Sequence, residues 1–508
     1  MDHTSTDDRP NILFIMTDQQ RYDALGANGN PEIHTPNLDR IAASGVNLHG
    51  YYTNHPICGP SRATLFTGRY VHSHRVRGNA KPNYVRSDQE LHMFRLLKNA
   101  GYSIGYVGKN HLLRDEEWQN FDHADVWGYN HPDFWGRLAE QLTPSQREYA
   151  ELERECVRAF QSERGAYAGE RFHDYPDEDT KLYAMRESAL RFLRERDPER
   201  PFCLNLQIFE PHAPHIAPRR FREMYPPEEM KLPPTSENDM PGKPTRYGIK
   251  YRACRSDRVS DHDRRMFMSV YYSMVTYLDE QVGYLLEELE RQGILENTLI
   301  IFTADHGDFC CHHGTVKKDT VLLDDLLHVP LLFSWPAKLE ARDAREALVE
   351  EVDVLPTILD LLGLDTPFGV QGRSFAGVLT GRTGEHRDAV HAEASRPGQR
   401  NPFDSYEEWA ADWAENHDEP HGINIPADYT KGIRTDRYRY NWFVTGEEEL
   451  YDLENDPEEW HNLASSPEHR ELKSDLKTRL FEWHVRTEDP LDQAAIERLQ
   501  TEYPNWQT

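Results

Sequence analysis

Short runs that are apolar throughout alternate with amphipathic stretches over the first two-thirds of the chain. Asn11-Ile12-Leu13-Phe14-Ile15-Met16 is uninterrupted and gives way to Thr17-Asp18-Gln19-Gln20. A central strand of a parallel sheet, covered on both faces, meets its polar loop in this way. Residues 102–107, 202–208, 298–302 and 329–333 repeat the pattern. Between them, residues 36–43 and 91–100 read as amphipathic helices. A longer one over 264–292 carries Val270, Met274, Leu278, Val282, Leu285 and Leu289 on one face, a spacing that predicts core.

This alternation predicts an α/β fold, an open sheet with helices on both faces. Ligands in such sheets sit beyond the carboxyl ends of the strands. Asp18-Gln19 follows the first run and Asp305-His306 follows 298–302, so the two acidic pairs are expected at one site. Asp365-Thr366-Pro367 and the glycine-rich stretch 369–377 end the pattern. A boundary near residue 390 then gives a polar tail at 1–9, an α/β domain at 10–390 and a smaller C-terminal α+β subdomain at 391–508. Within the last, 432–443 and 449–453 read as strands of an antiparallel sheet and 467–486 as a closing helix. The polar stretch before those strands holds Trp409, Trp413 and His417, which could close over a pocket or be plain surface.

Length alone, 508 residues, allows about two to four domain-sized units or one large domain with an appendage. A net charge of -29 argues against nucleic acid or an anionic membrane as partner, since a polyanion is repelled by most of this surface. The six cysteines include no CxxC pair and are too few for a disulfide framework, which fits a reducing compartment. No basic leader with an apolar stretch precedes the first strand, and no apolar run is long enough to span a bilayer. A cytoplasmic location is expected, or a periplasmic or secreted one had an export signal been trimmed.

Cys58-Gly59-Pro60-Ser61-Arg62 precedes Ala63-Thr64-Leu65-Phe66-Thr67-Gly68-Arg69, with Pro60 where a helix favours proline at its first position. Cys58 is then expected at a helix N-terminus, where backbone N–H groups and the helix dipole stabilise negative charge. A buried structural cysteine is the plainer reading of such a residue. The pentapeptide resembles the maturation signature of the formylglycine-dependent sulfatases, in which Cys is followed by any residue, Pro, a small residue and Arg. The resemblance continues in order through Pro10-Asn11-Ile12-Leu13 leading to Asp18, Thr35-Pro36-Asn37-Leu38-Asp39, Gly101-Tyr102, Gly108-Lys109-Asn110-His111, Pro211-His212-Ala213-Pro214, Asp305-His306-Gly307 and Leu450-Tyr451-Asp452-Leu453-Glu454-Asn455-Asp456-Pro457.

The resemblance implies an alkaline phosphatase-like fold, a large mixed and mostly parallel sheet flanked by helices, and hydrolysis of a sulfate monoester. It implies that a separate maturase converts Cys58 to formylglycine (3-oxoalanine), whose hydrate attacks sulfur and then expels sulfate by re-forming the aldehyde. One divalent metal would be held by Asp18, Gln19, Asp305, His306 and an oxygen of the modified residue 58. Ca²⁺ is the first candidate because oxygen donors predominate, and Mn²⁺ or another transition ion competes because Gln19 lowers the ligand charge and His306 adds a nitrogen. Arg62 would hold the diol and the anion, and Lys109 and His111 would flank residue 58, with His111 the base for sulfate release. His212 would contact the sulfate or protonate the leaving alcohol, while His215 reads as structural. Lys318, five residues after His313, would bind the leaving oxygen, with its neighbour Lys317 one register step away. Asn110 would face the substrate entrance, and His312 and His313 either rim the site or are solvated.

Arg75, Arg77 and Asn79 are candidate contacts to a carboxylate or hydroxyls on a sugar, or solvated surface groups. The expected partner is a sulfated small molecule or saccharide; oligomeric state is not legible. Two competing readings stand beside the sulfatase one. A phosphonate monoester hydrolase or phosphodiesterase of the same superfamily shares the nucleophile, and a non-catalytic protein could bind sulfated glycans without turning them over.

Overall fold

The computed structural model describes residues 9–79, 84–128, 142–160, 170–233, 242–254, 256–395 and 429–506. Fourteen strands are found there: β1 (Asn11–Asp18), β2 (Val46–Tyr52), β3 (Ser103–Asn110), β4 (His123–Gly128), β5 (Arg171–His173), β6 (Phe202–Pro211), β7 (Ile216–Pro218), β8 (Thr298–Ala304), β9 (Leu331–Ser334), β10 (Arg342–Glu350), β11 (Val390–Ser395), β12 (Tyr429–Arg434), β13 (Tyr438–Phe443) and β14 (Glu448–Asp452). Eight form one sheet in the order β10-β2-β9-β8-β1-β6-β3-β4. All neighbours are parallel except β9, which runs against both β2 and β8. The expected mixed, mostly parallel sheet is therefore the one observed. β11-β12-β13-β14 form a separate antiparallel sheet, and β5 and β7 a short parallel pair.

The continuous apolarity of β1 has a direct cause. Ile12, Phe14 and Met16 enter the core on one face of the sheet, and Leu13 and Ile15 enter the core on the other. A strand buried on both faces cannot alternate polar and apolar residues. The first core also holds Leu65 and Phe66 of helix Cys58–Thr67, so that helix lies against this face. The second holds Leu278, Val282, Leu285 and Leu289 of helix Asp261–Arg291, which starts with a capping box between Ser260 and Asp263. The six-residue stripe read from the sequence is buried along its length.

Helix Pro36–Ala43 occupies the span expected from its pattern, and helix Met93–Asn99 the centre of its span. β2 was not read as a strand, although all seven of its residues are buried, because Asn47, His49 and Gly50 break the apolar run. β10 is an edge strand whose charged residues hide it in the same way. All six cysteines are free thiols, and no helix among the described residues is long and apolar enough to cross a membrane. Trp409, Trp413 and His417 lie outside the described residues.

Leu278 is wholly buried where the long helix meets the sheet. Leu278→Ala is expected to lower unfolding free energy by about 2–5 kcal/mol, measured by urea denaturation.

Candidate active site

β8, β1, β6 and β3 are consecutive in the sheet, so their carboxyl ends open on one edge. Asp18 closes β1, Asp305 and His306 follow β8, His212 follows β6, and Lys109 and His111 lie at the end of β3. Helix Cys58–Thr67 brings residue 58 to the same edge. It begins at Cys58 itself, with Ile57 as its cap residue and Ser61 N–H making the first helical bond to the Ile57 carbonyl at 3.1 Å. Pro60 is thus the third helical residue, not the first, a position where a missing N–H again costs no helical bond. Cys58 sits at the helix N-terminus as expected, and the whole helix is buried.

The Cys58 sulfur is ringed by nitrogen groups. Lys318 Nζ is 2.8 Å away, His306 Nε2 3.3 Å and Lys109 Nζ 3.7 Å. Burial and Asp18 oppose ionisation of the thiol, but Lys109, Lys318 and His306 outweigh them and bring it down to about 5. Lys318 also meets His306 Nε2 at 2.8 Å and Asp18 Oδ1 at 3.6 Å, while Lys109 donates to Asp18 Oδ2. Between Lys317 and Lys318, geometry selects Lys318. The Lys317 side chain lies instead among Glu170, Cys254, Lys250 and Asp308, and burial holds it down near 7.

Beneath the sulfur, Asp18 and Asp305 are held by one guanidinium. Arg62 Nη2 lies 3.0 Å from Asp18 Oδ2 and 2.8 Å from Asp305 Oδ2, Nε is 3.0 Å from Asp305 Oδ2, and Nη1 donates to Gln207. Burial raises the Asp18 carboxyl, but Lys109, Lys318, His212 and Arg62 pull it well below the usual range. Burial and the nearby Asp18 charge instead push Asp305 up to about 6. Asp18, Cys58, Asp305 and His306 each present a ligand atom, all within 4.8 Å of one another. The donor set fits a divalent cation. Two adjacent buried carboxylates call for positive charge, and His306 gives Nδ1–H to the Gly307 carbonyl at 2.9 Å, which turns the Nε2 lone pair inward. Gln19 adjoins the pair: its N–H donates to Asp305 Oδ1 at 3.1 Å and its carboxamide nitrogen to Asp308.

His111 is buried beside Tyr84, with ring centroids 6.1 Å apart, and burial together with Lys109 and Arg62 keeps it well below its usual value. His212 approaches Asp18 Oδ1 at 3.9 Å and donates from Nδ1 to its neighbour's carbonyl at 2.8 Å. Burial, Lys318 and Lys109 hold it low as well.

Several expected residues lie elsewhere. Arg75 is 75% exposed and pairs with Asp489 at 3.6 Å, and the Arg77 guanidinium lies over the Tyr429 ring. Asn79 does reach the site, but it accepts the Gly59 N–H at 2.8 Å and so caps the nucleophile helix. Its Nδ2 is 3.8 Å from the Cys58 sulfur. His312 pairs with Glu458 at 2.9 Å and Asp325 at 3.3 Å, and His313 with Asp325 at 3.5 Å, so neither rims Cys58 nor is freely solvated. Asn110 is buried, accepts the N–H groups of Leu112 and Leu113, and shapes the turn after β3. His215 packs edge-on against Phe267 in the interior.

Comparison with known proteins bears on this geometry. A family model described as "Sulfatase" matches residues 10–364, and one described as "N-sulphoglucosamine sulphohydrolase, C-terminal" matches 405–486. An arylsulfatase of Clostridium perfringens is 28% identical over 91% of this chain and 92% of its own length. An N-acetylglucosamine-6-O-sulfatase of Bacteroides thetaiotaomicron is 26% identical over 95% of this chain and 87% of its own. Among solved structures, a phosphonate monoester hydrolase of Agrobacterium radiobacter superposes with a TM-score of 0.76 at 22% identity, covering 95% of this chain and 96% of that one, a likeness of fold.

Two supporting groups escaped the sequence reading. Gln207, which holds Arg62, could have been noticed because Asn205 and Gln207 interrupt an otherwise apolar strand. Glu351 gave no signal. It accepts the Ser61 hydroxyl at 2.6 Å and the Thr53 hydroxyl at 2.9 Å, and Ser61 also reaches the Asp305 carbonyl oxygen at 2.7 Å. Burial raises the Glu351 carboxyl well above its ordinary value. The folded chain therefore binds a proton there that the unfolded chain has released, so this group's stability contribution falls as pH rises from the unfolded carboxyl range through the folded pKa. Glu351→Gln is expected to remove that fall, gaining on the wild type in unfolding midpoint as pH increases. Glu351→Ala, which takes this acceptor from the Thr53 hydroxyl and the Asn54 N–H while Ser61 keeps the Asp305 carbonyl, is expected to cost about 1–3 kcal/mol at every pH.

Proposed function

The chain belongs to the sulfatase family and is a sulfuric ester hydrolase, and we propose that it cleaves the sulfate monoester of a sugar or small alcohol at residue 58. The observation that carries this reading is the convergence of Lys318, His306 and Lys109 on the Cys58 sulfur at a helix N-terminus, over two buried carboxylates. The family implies a formylglycine in place of the cysteine and a divalent metal beside it. Asp18, Gln19, Asp305 and His306 would hold that ion, with calcium the first choice for a mainly oxygen donor set and manganese its competitor through His306. Once bound, the cation would supply the positive charge that lets a hydroxyl ionise near neutral pH. The hydrated aldehyde would supply one hydroxyl to attack sulfur and a second whose deprotonation expels sulfate.

The remaining side chains fall into roles by charge and position. Lys109 and Lys318 flank residue 58 and would stabilise the negative charge on the sulfuryl oxygens. His111, held neutral by burial and its cationic neighbours, is suited to accept the proton whose loss releases sulfate. His212 gives its Nδ1–H to a carbonyl, which leaves Nε2 an acceptor. Lys318, whose ammonium lies 2.8 Å from the residue 58 side chain, is then placed to donate to the departing alcohol oxygen. The sugar reading is supported by the likeness along nearly the whole chain to the N-acetylglucosamine-6-O-sulfatase.

Lys318→Ala is expected to lower kcat on an aryl sulfate by roughly 10²–10³-fold. Cys58→Ala should abolish turnover, and a chelator should do so reversibly, with calcium and manganese compared for recovery. Paired aryl sulfate and aryl phosphonate esters test the ester class, and a panel of defined sulfated saccharides tests the alcohol. Much faster phosphonate hydrolysis, or an intact thiol at residue 58 in fully active enzyme by peptide mass analysis, would sink the proposal.

A further inference from the structure

Asp308 is wholly buried, and its carboxylate gathers Gln19, Cys310 and Lys317. One of its oxygens, Oδ2, accepts the Gln19 carboxamide Nε2. The other, Oδ1, accepts the backbone N–H groups of Cys310 at 2.6 Å and Lys317 at 2.8 Å. Gln19 is pinned at both ends of its backbone, its N–H on Asp305 and its carbonyl on the Tyr271 hydroxyl at 2.8 Å, with φ at 71°. What is left to choose is which end of the carboxamide points where. A carboxamide has a donor end and an acceptor end, whereas an ionised carboxylate is acceptor at both oxygens. Asp308 therefore accepts only the nitrogen, and Oε1 is turned away from it.

We infer that Asp308 is a positioning residue for the cation site: by holding the Nε2 end of Gln19 it presents Oε1 to the ion that Asp18, Asp305 and His306 would share. This rests on the reading of that cluster as a cation site. The same carboxylate fixes the backbone immediately before Lys318, so the ligand loop after β1 and the lysine loop after β8 share one anchor. Substitution by asparagine is the informative change. An asparagine has one side-chain oxygen where the structure uses two, so it cannot serve Gln19 and both backbone donors.

The test uses full-length protein stripped with a chelator and titrated by calorimetry with calcium alone, then with manganese alone. Asp308→Asn and Gln19→Ala are each expected to weaken calcium binding about 10-fold or more, and the double variant to bind no more weakly than Gln19→Ala alone. Asp308→Asn combined with Gln19→Glu exchanges donor and acceptor across the same contact and is expected to regain most of the lost affinity. An Asp308→Asn protein that binds calcium as the wild type does, or effects that multiply in the double variant, would overturn the inference. Should Asp308→Asn alone fail to fold, as judged by its unfolding midpoint in chelator, the exchanged pair decides: wild-type-like affinity supports the inference and absent binding overturns it. Wild-type protein that takes up neither ion would instead refute the cation site itself, and this inference with it.

Discussion

Everything at this site is arranged around one buried guanidinium. Arg62 lies between the carboxylates of Asp18 and Asp305, which come from strands nearly 300 residues apart, and all three side chains are excluded from solvent. Burying two like charges together is costly by several kcal/mol unless opposite charge and good hydrogen-bond geometry accompany them. Arg62 supplies both, and Gln207 and Ser61 hold the parts in register. The four-residue interval from Cys58 to Arg62 is one helical turn, so nucleophile and guanidinium share a helix face. The spacing of the pentapeptide is thus a statement about helix geometry.

How much of this was legible depends on what each residue touches. β1, β3, β6 and β8 could be read because burial on both faces leaves a mainly apolar run, and the chemistry at their ends could be read because ligands collect there. The reversed direction of β9 could not, since an apolar run carries no sense of direction. β2 was lost because His49 and Asn47 find partners in the interior: His49 meets Tyr22 and Asn47 meets Asn28. Asp308 and Glu351 were invisible for the same reason, as single acidic residues whose role exists only through segments distant in sequence. Arg75, His312 and His313 drew attention by lying near a motif, but Asp489, Asp325 and Glu458 claim them.

The acidic surface and the basic pocket are compatible. A net charge of -29 acts through a solvent that screens over about 8 Å, whereas Lys318 and Lys109 act across contacts of less than 4 Å. Of the groups gathered around Cys58, His212 and Lys318 reach solvent with 13% and 14% of their side chains, while Arg62, Lys109, Asp18, Asp305 and His306 are sealed. An incoming anion therefore meets an ammonium first and the carboxylates last, which is the order that favours its entry.

The complete enclosure of helix Cys58–Thr67 also has a bearing on biosynthesis. The thiol has no exposed surface, and a side chain on residue 59 would collide with the Gly78 carbonyl 2.9 Å away, so the native chain leaves no room for a second protein to grip this stretch. A catalyst that must bind the pentapeptide to convert its cysteine would need it extended and unsheltered. For a maturase of the kind the family implies, conversion would precede native packing, and closure of the helix would preserve whichever side chain residue 58 carried at that moment.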